Sequence, residues 1–92
     1  MIESFSHKGL EAFFNDGTKR GIQAKHARRI AVILDYLDAA EGIRDMGFPG
    51  LELHPLKGEM KNFWSVKVSG NWRIVFRFQN GNAYDVDYLD YH

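Results

Sequence analysis

The chain has 92 residues, of which 45% are hydrophobic and 14% aromatic, and its 12 basic residues balance its 12 acidic residues. This length predicts one domain, residues 1–92, with a modest core, and the absence of cysteine excludes disulfides and thiolate metal sites. No apolar run approaches the roughly 20 residues of a transmembrane helix, and residues 1–5 lack signal-peptide features, so we expect a cytoplasmic protein without a membrane partner.

The N-terminal half carries the helical patterns. A short strand is predicted at Ile2–Phe5, and a helix over Lys8–Asn15 that Gly17 ends. The longest helix is predicted over Ala24–Ala40, because its apolar residues recur at helical spacing, and Gly42 is placed to end it. We expect the two histidines of this half, His7 and His26, to be surface residues.

The second half carries strand patterns. Glycines and a proline predict a connection over residues 43–50, after which the apolar period changes from 3.6 to 2. Strands are predicted at residues 51–54, Phe63–Val68, Trp72–Phe78 and Ala83–Leu89, and Asn80-Gly81 is a strong hairpin signal. The sequence therefore predicts an α+β fold, with two to three N-terminal helices packed on one face of a small, mainly antiparallel sheet.

Alternation along the strands assigns their residues to two faces. The apolar face, expected beneath the helices, comprises Trp64, Val66, Val68, Trp72, Ile74, Phe76, Phe78, Tyr84, Val86 and Tyr88. The other face carries Ser65, Lys67, Arg73 and Arg77, with Val75 between the two arginines. This cationic face, flanked by His54 and the C-terminal Asp90-Tyr91-His92, is the candidate site.

The charges are unevenly distributed although the net charge is zero. Residues 18–34 contain five cations and no acid, and residues 54–78 contain five cations and one acid. A locally basic surface on a neutral protein can recognise phosphate, and ordinary solvated charge is the alternative.

Several residues of the candidate site could act on a phosphodiester. The guanidinium of Arg73 can hold two phosphate oxygens and stays charged, unless it pairs with Asp85 or Asp87 on the next strand. His54 and His92 can move protons near neutral pH, the alternatives being a structural histidine and a frayed end. We expect no metal and no cofactor, because the chain shows no metal-site motif, glycine-rich phosphate loop or nucleophile elbow.

Four motifs together resemble a known family. They are Leu53-His54-Pro55-Leu56-Lys57-Gly58, Phe63-Trp64-Ser65-Val66, Asn71-Trp72-Arg73-Ile74-Val75-Phe76 and Asp87-Tyr88-Leu89-Asp90-Tyr91-His92. They are similar to the HigB branch of the RelE/ParE toxin superfamily, the plasmid-maintenance killers of bacterial toxin–antitoxin systems, and the N-terminal residues match that branch as well.

The resemblance implies a ribosome-dependent endoribonuclease that cuts mRNA in the 30S A site of the 70S ribosome without metal, leaving a 2′,3′-cyclic phosphate and a 5′-hydroxyl. It implies a toxin that is monomeric alone and forms a hetero-oligomer with a HigA-like helix-turn-helix antitoxin. The residues expected to be catalytic are His54, Arg73, Asp90, Tyr91 and His92. Those expected to bind the RNA phosphates are Lys57, Lys67 and Arg77.

The zero net charge departs from many relatives, which are strongly basic. Ribosome binding is therefore expected to depend on the local basic segments, with candidate contacts at Lys19, Arg20, Lys25, Arg28 and Arg29. Two other functions are consistent with the superfamily. One is a ParE-like gyrase poison, and the other is a degenerate toxin that acts only as an antitoxin-binding module.

Overall fold

The computed structural model describes residues 1–91, and His92 lies outside the described residues. The helices are α1 (Lys8–Asp16) and α2 (Ala27–Ala39), with 3-10 turns at Ala24–His26, Ile43–Met46 and Gly58–Met60. The strands are β1 (His54–Pro55), β2 (Phe63–Ser69), β3 (Trp72–Gln79) and β4 (Asn82–Asp90). The four strands form one antiparallel sheet in chain order, which confirms the predicted α+β class.

Helix α1 begins at the predicted residue, Lys8, and ends one residue later than predicted, at Asp16. The Nδ1 atom of His7 accepts a hydrogen bond from the backbone N–H of Leu10 at 3.0 Å and so caps the first turn. Gly17 ends the helix in the left-handed conformation, at φ 79°. His7 is half-buried and caps the helix start, so it is less exposed than the surface position that the sequence predicts.

Helix α2 ends earlier than predicted. Its C-cap is Ala40, whose backbone is already extended, two residues before Gly42. The Asp45 carboxylate accepts hydrogen bonds from the backbone N–H groups of Glu41 and Gly42, at 2.9 and 3.2 Å, and this holds the chain in a turn at that point. The same two hydrogen bonds lower the pKa of Asp45, because they favour the ionised carboxylate.

The main core lies between the two helices and one face of the sheet. The apolar stripe of α2, which includes Ile30, Leu34 and Leu37, is almost completely buried. It meets the buried strand residues Val66, Val68, Ile74, Phe76 and Val86. Among residues 1–91, no helix has the length and apolar character that crossing a membrane requires.

The N-terminal segment lies along the outer edge of β4. Ile2 and Phe5 form isolated parallel bridges with Ala83 and Val86, rather than the continuous strand predicted at Ile2–Phe5. Backbone hydrogen bonds, such as that from Glu3 N–H to Ala83 O at 2.7 Å, satisfy the edge of β4. The sheet is therefore mainly antiparallel with one short parallel edge.

A β-bulge in β4 changes the orientation of one predicted core residue. Val75 pairs with Asp87, whereas Arg77 pairs with Tyr84, so β4 has one extra residue between these pairs. Asp85 takes a φ of 54° there, which aspartate tolerates better than most residues. Tyr84 consequently lies beside Arg77, and Ala83 is buried in the core instead. The prediction that Tyr84 belongs to the apolar face was wrong.

Two glycines allow α1 to contact the following loop backbone to backbone. A Cβ atom built on Gly9 would lie 2.6 Å from the Cα of Gly21, and one on Gly21 would lie 2.4 Å from the Cα of Gly9. Because backbone atoms cannot move aside as a flexible side chain can, a methyl group at either position must displace a chain segment.

We expect Gly9→Ala to lower the free energy of unfolding by about 1–3 kcal/mol, despite the better helix propensity of alanine. Urea denaturation gives this value. Gly42→Ala is the matched control, because Gly42 has an extended backbone and no atom lies within 4 Å of its added Cβ. Equal stability of the two variants would show that the Gly9–Gly21 contact does not constrain the fold.

Candidate functional site

We use the term open face for the side of the sheet opposite the helices. Cross-strand pairs place residues on it in three rows, because paired residues share a face. The rows are His54–Ser65–Val75–Asp87, Lys67–Arg73–Leu89 and Phe63–Arg77–Tyr84. The predicted separation of Arg73, Lys67 and Arg77 from the apolar face is confirmed by this register.

The open face has a small buried floor. Ser65 and Val75, adjacent in the middle row, are each only 1% exposed. Leu56 is also buried and, like Val75, does not belong to the main core. Neighbouring side chains therefore cover the centre of this face, and its polar groups lie around that centre.

Arg73 is held between two residues of the helix-covered face, Trp72 and Ile74. Its Nη1 atom donates hydrogen bonds to the backbone oxygens of Gly70 at 2.6 Å and Trp72 at 3.1 Å. These bonds hold one edge of the guanidinium of the half-buried Arg73 against the β2–β3 turn.

The two acids considered as alternative partners of Arg73 have other described contacts. Asp85 pairs with Arg77 at 2.8 Å. The Oδ1 atom of Asp87 accepts the N–H of Tyr88, also at 2.8 Å.

His54 lies exposed on the edge strand β1, and the backbone carbonyl of Glu52 fixes its tautomer. Its Nδ1 atom lies 2.9 Å from the carbonyl oxygen of Glu52. A carbonyl oxygen only accepts, so Nδ1 carries the proton and the neutral ring keeps its lone pair on Nε2. His54 is therefore oriented to accept a proton through Nε2.

The other cations of the open face are paired with acids. Lys67 Nζ lies 3.3 Å from Glu52 Oε2, and Arg77 Nε lies 2.8 Å from Asp85 Oδ2. Arg77 also lies 5.3 Å from the centre of the Tyr84 ring. Both ion pairs are partly exposed, and such pairs contribute only about 0–1 kcal/mol, so an incoming phosphate can compete with the carboxylates.

The remaining predicted site residues lie at the two ends of the sheet. Lys57 is exposed and precedes the turn at Gly58–Met60. Its neighbour Leu56 donates its N–H to Phe63 O, and Phe63 belongs to the row of Arg77, so Lys57 lies beside that row. Asp90 pairs with Trp72 at the opposite end, and the half-exposed Tyr91 donates its N–H to Asn71 O at 2.8 Å. His92 lies outside the described residues.

These positions give the site an extended shape. Four residues separate the row of Arg77 from that of Arg73 along a strand, a distance of about 13 Å. His54 and Arg73 are two strands and one row apart, so their Cα atoms lie about 12 Å from each other. Their side chains can span this distance by contacting the same bound group. The cations therefore form a track across the face, as in sites that follow a nucleic-acid backbone.

The basic residues Lys19, Arg20, Lys25, Arg28 and Arg29 are all exposed. Arg29 is also bonded internally, because it donates to Gly50 O at 2.8 Å and to Lys67 O at 3.0 and 3.2 Å, and so joins α2 to β2.

A buried polar cluster was missed from the sequence. His26 is only 4% exposed, with its Nδ1 atom 2.6 Å from the hydroxyl of Tyr88, and Tyr88 stacks on Trp72 at 4.6 Å. Burial, and secondarily the charge of Lys25, lower the pKa of His26, while burial raises the pKa of Tyr88. The Tyr88 hydroxyl therefore donates to a neutral imidazole. The prediction that His26 is a surface residue was wrong.

Among residues 1–91, no group of three or more His, Asp or Glu side chains is placed to hold a metal ion.

Comparison with known proteins identifies the class. A family model described as the RelE-like toxin of the type II toxin–antitoxin system HigB matches residues 3–92, so the chain is a RelE-like toxin. Within that class it belongs to the HigB-like family. It is 45% identical to Endoribonuclease HigB of Proteus vulgaris over 92 residues, the whole of both chains. It is 32% identical to Toxin HigB-1 of Vibrio cholerae over 94 residues, covering 100% of this chain and 98% of that relative.

The bonding of Arg29 predicts a difference between two neighbouring arginines. We expect Arg29→Ala to lower the free energy of unfolding by about 1–3 kcal/mol, because two carbonyl oxygens lose a charged donor. Arg28→Ala is the matched control and should change it by less than about 0.5 kcal/mol. Chemical denaturation of both variants measures the difference, and equal values would contradict the structural role of Arg29.

The His26–Tyr88 hydrogen bond predicts a pH dependence of stability. The pKa of His26 is lower in the folded state, so the unfolded state binds the proton first as the pH falls. The contribution of neutral His26 to the free energy of unfolding is present above the unfolded-state pKa of about 6.5. It is lost as the pH falls toward the folded-state pKa, and the free energy then changes by at most about 1.4 kcal/mol per pH unit.

His26→Asn isolates that contribution. It should be less stable than the wild type at pH 7.5, and the gap between them should narrow as the pH falls to 5.5. Urea denaturation across this range measures the gap, and a gap that widens in acid would show that folded His26 is protonated.

Proposed function

We propose that this chain is the toxin of a bacterial type II toxin–antitoxin system and acts as a ribosome-dependent endoribonuclease, cutting mRNA in the 30S A site and inhibiting translation. The observation that carries the proposal is the match to the HigB-like family over residues 3–92, in a fold that holds Arg73 and His54 on one open face. The family match also favours this function over the ParE-like gyrase poison.

The proposed chemistry is attack by the 2′-hydroxyl of the RNA on the adjacent phosphorus. A base removes the 2′-proton as the new oxygen–phosphorus bond forms. The bond to the 5′-oxygen then breaks, and an acid protonates that oxygen. The products are a 2′,3′-cyclic phosphate and a 5′-hydroxyl, with no net change in redox state. No step of this reaction needs a cofactor beyond the side chains proposed here.

The tautomer of His54 supports its role in proton transfer. Its Nδ1–H is held by the carbonyl oxygen of Glu52, which leaves Nε2 to take the 2′-proton. His92 is the other histidine proposed for acid–base chemistry, and Asp90, the last residue of β4, and Tyr91 precede it in the chain. One imidazole acts as base and the other as acid, with Asp90 orienting a histidine and Tyr91 positioning the nucleotide.

Arg73 is proposed to stabilise the charge that develops on the phosphate oxygens. Its guanidinium stays protonated, and the two backbone hydrogen bonds of Nη1 restrict its orientation before RNA binds. Lys57, Lys67 and Arg77 are proposed to hold neighbouring phosphates along the track. Lys67 and Arg77 would exchange their exposed carboxylate partners for those phosphates.

The ribosome is proposed to align the RNA and so to compensate for the small number of catalytic groups. Exposed Lys19, Arg20, Lys25, Arg28 and Arg29 are the proposed contacts with ribosomal RNA, and Arg29 in addition bonds to the backbone oxygens of Gly50 and Lys67. As a type II toxin the chain has an antitoxin partner. We propose a HigA-like helix-turn-helix protein, which forms a hetero-oligomer with an otherwise monomeric toxin in the bacterial cytoplasm.

Primer extension on a defined mRNA, with and without 70S ribosomes, tests the proposal. The wild-type protein should cleave only when ribosomes are present. Arg73→Ala should slow cleavage about 10²–10³-fold, as loss of a charge-stabilising donor does. His54→Ala and His92→Ala should slow it about 10²–10⁴-fold, as loss of a general acid or base does.

Two matched variants sharpen this experiment. Arg73→Lys keeps the charge but loses the planar donor fork, so it should recover only part of the activity. Arg77→Ala removes a cation that is paired with Asp85 on the same face, and its effect should be smaller than that of Arg73→Ala. No cleavage by folded wild-type protein would contradict the proposal, and DNA damage without mRNA cleavage would support the gyrase alternative.

A further inference from the structure

The exposed side of helix α2 carries an apolar patch. Val32 and Tyr36, one helical turn apart, are 48% and 49% exposed. Among residues 1–91, the other large hydrophobic residues that are exposed are Met1 and Tyr91, both near the chain ends. Tyr36 makes an edge-to-face contact with Phe48, with 4.4 Å between the ring centroids, and so packs against the connection after α2. We call Val32, Tyr36, Ala39 and Phe48 the α2 ridge.

Shallow grooves adjoin the ridge at both ends. One lies between Tyr36, Ala39 and Phe48, and the other lies between Arg28, Val32 and Leu51. A projecting tyrosine flanked by grooves is the kind of anchor around which protein interfaces concentrate binding energy. The ridge lies on the solvent side of α2, which itself covers the helix side of the sheet, so it is separate from the open face.

The charge along α2 is polarised in a way that restricts the partner. Lys25 and Arg28 are exposed where the helix begins, and the helix dipole adds positive potential there. Asp35 and Asp38 lie in the second half of the helix. A complementary segment therefore carries apolar side chains over Val32 and Tyr36 and acidic side chains over Lys25 and Arg28.

We propose that the α2 ridge is the docking surface for the antitoxin, through an amphipathic segment with acidic residues at one end. The family assignment establishes that a protein antitoxin exists, and the ridge offers the apolar anchors that a protein partner uses. The exposed Val32 offers neither charge nor hydrogen-bonding groups to an RNA partner. This inference rests on the proposed toxin–antitoxin pairing but is independent of the nuclease chemistry.

The test measures binding of the proposed HigA-like helix-turn-helix antitoxin, by isothermal titration calorimetry against purified toxin variants. Val32→Asp and Tyr36→Asp should each weaken binding roughly 30-fold or more, as loss of an interface anchor does. Tyr36→Phe should bind as the wild type does. Asn15→Asp, which adds the same charge at an exposed position of α1, is the matched control and should also bind normally.

Thermal melts and ribosome-dependent cleavage accompany each variant, because they separate loss of the interface from loss of the fold. Val32 and Tyr36 are not among the proposed site residues, so cleavage should persist in both Asp variants. Antitoxin affinity within threefold of wild type in both would overturn the inference.

Two other occupants give distinct results, and each would also overturn the inference. If the ridge covers a second copy of this chain, size-exclusion chromatography would show a dimer that Tyr36→Asp dissociates, with antitoxin affinity unchanged. If it contacts the ribosome, the Asp variants would lose ribosome binding alone. Wild-type toxin that fails to bind this antitoxin would overturn the pairing itself, whatever the variants do.

Discussion

The register of strands β2, β3 and β4 is the constraint on which the rest of the structure depends. Val66, Ile74 and Tyr88 lie opposite one another and face the helices, so the adjacent residues must face away. Because side chains alternate, a slip of one residue would place Arg73 in the core and Ile74 in solvent. The apolar stripe of α2 excludes that slip, since it needs an apolar surface to cover it. The core therefore determines where the site chemistry lies.

The sequence predicted the elements whose patterns are continuous. Alternation located β2, β3 and most of β4, and with them the open-face position of Arg73. It failed at Tyr84, because alternation assumes an unbroken ladder and the left-handed Asp85 has no distinctive local signal. The pairing of Asp85 with Arg77 depends on the same bulge and could not be predicted either. The burial of His26 was predictable, because it lies four residues before Ile30 in line with the α2 stripe. The polarity of histidine, in contrast, favours an exposed position.

Some cations of the chain are engaged in internal contacts. Arg29 bonds to the backbone oxygens of Gly50 and Lys67, Arg77 is paired with Asp85, and Lys67 is paired with Glu52. The 12 basic residues are balanced by 12 acidic residues, so the net charge supplies no long-range attraction to RNA, and non-specific affinity for phosphate depends on the number of cations that contact it. A protein of this kind would bind free RNA weakly. Alignment by a large partner would then account for activity better than affinity for the substrate alone does.

The backbone conformation of Glu52 bears on the proposed acid–base chemistry of His54. Four non-glycine residues take a positive φ among those described, and three of them are Asn or Asp, which tolerate it. Glu52 is the exception, at φ 51°, and its carbonyl oxygen is the atom that fixes the Nδ1 proton of His54. Strained residues persist where the surrounding structure holds them, often at functional sites. A backbone carbonyl, rather than a side-chain carboxylate, orients the imidazole, so the neutral ring keeps its lone pair on Nε2 while the Glu52 carboxylate stays paired with Lys67.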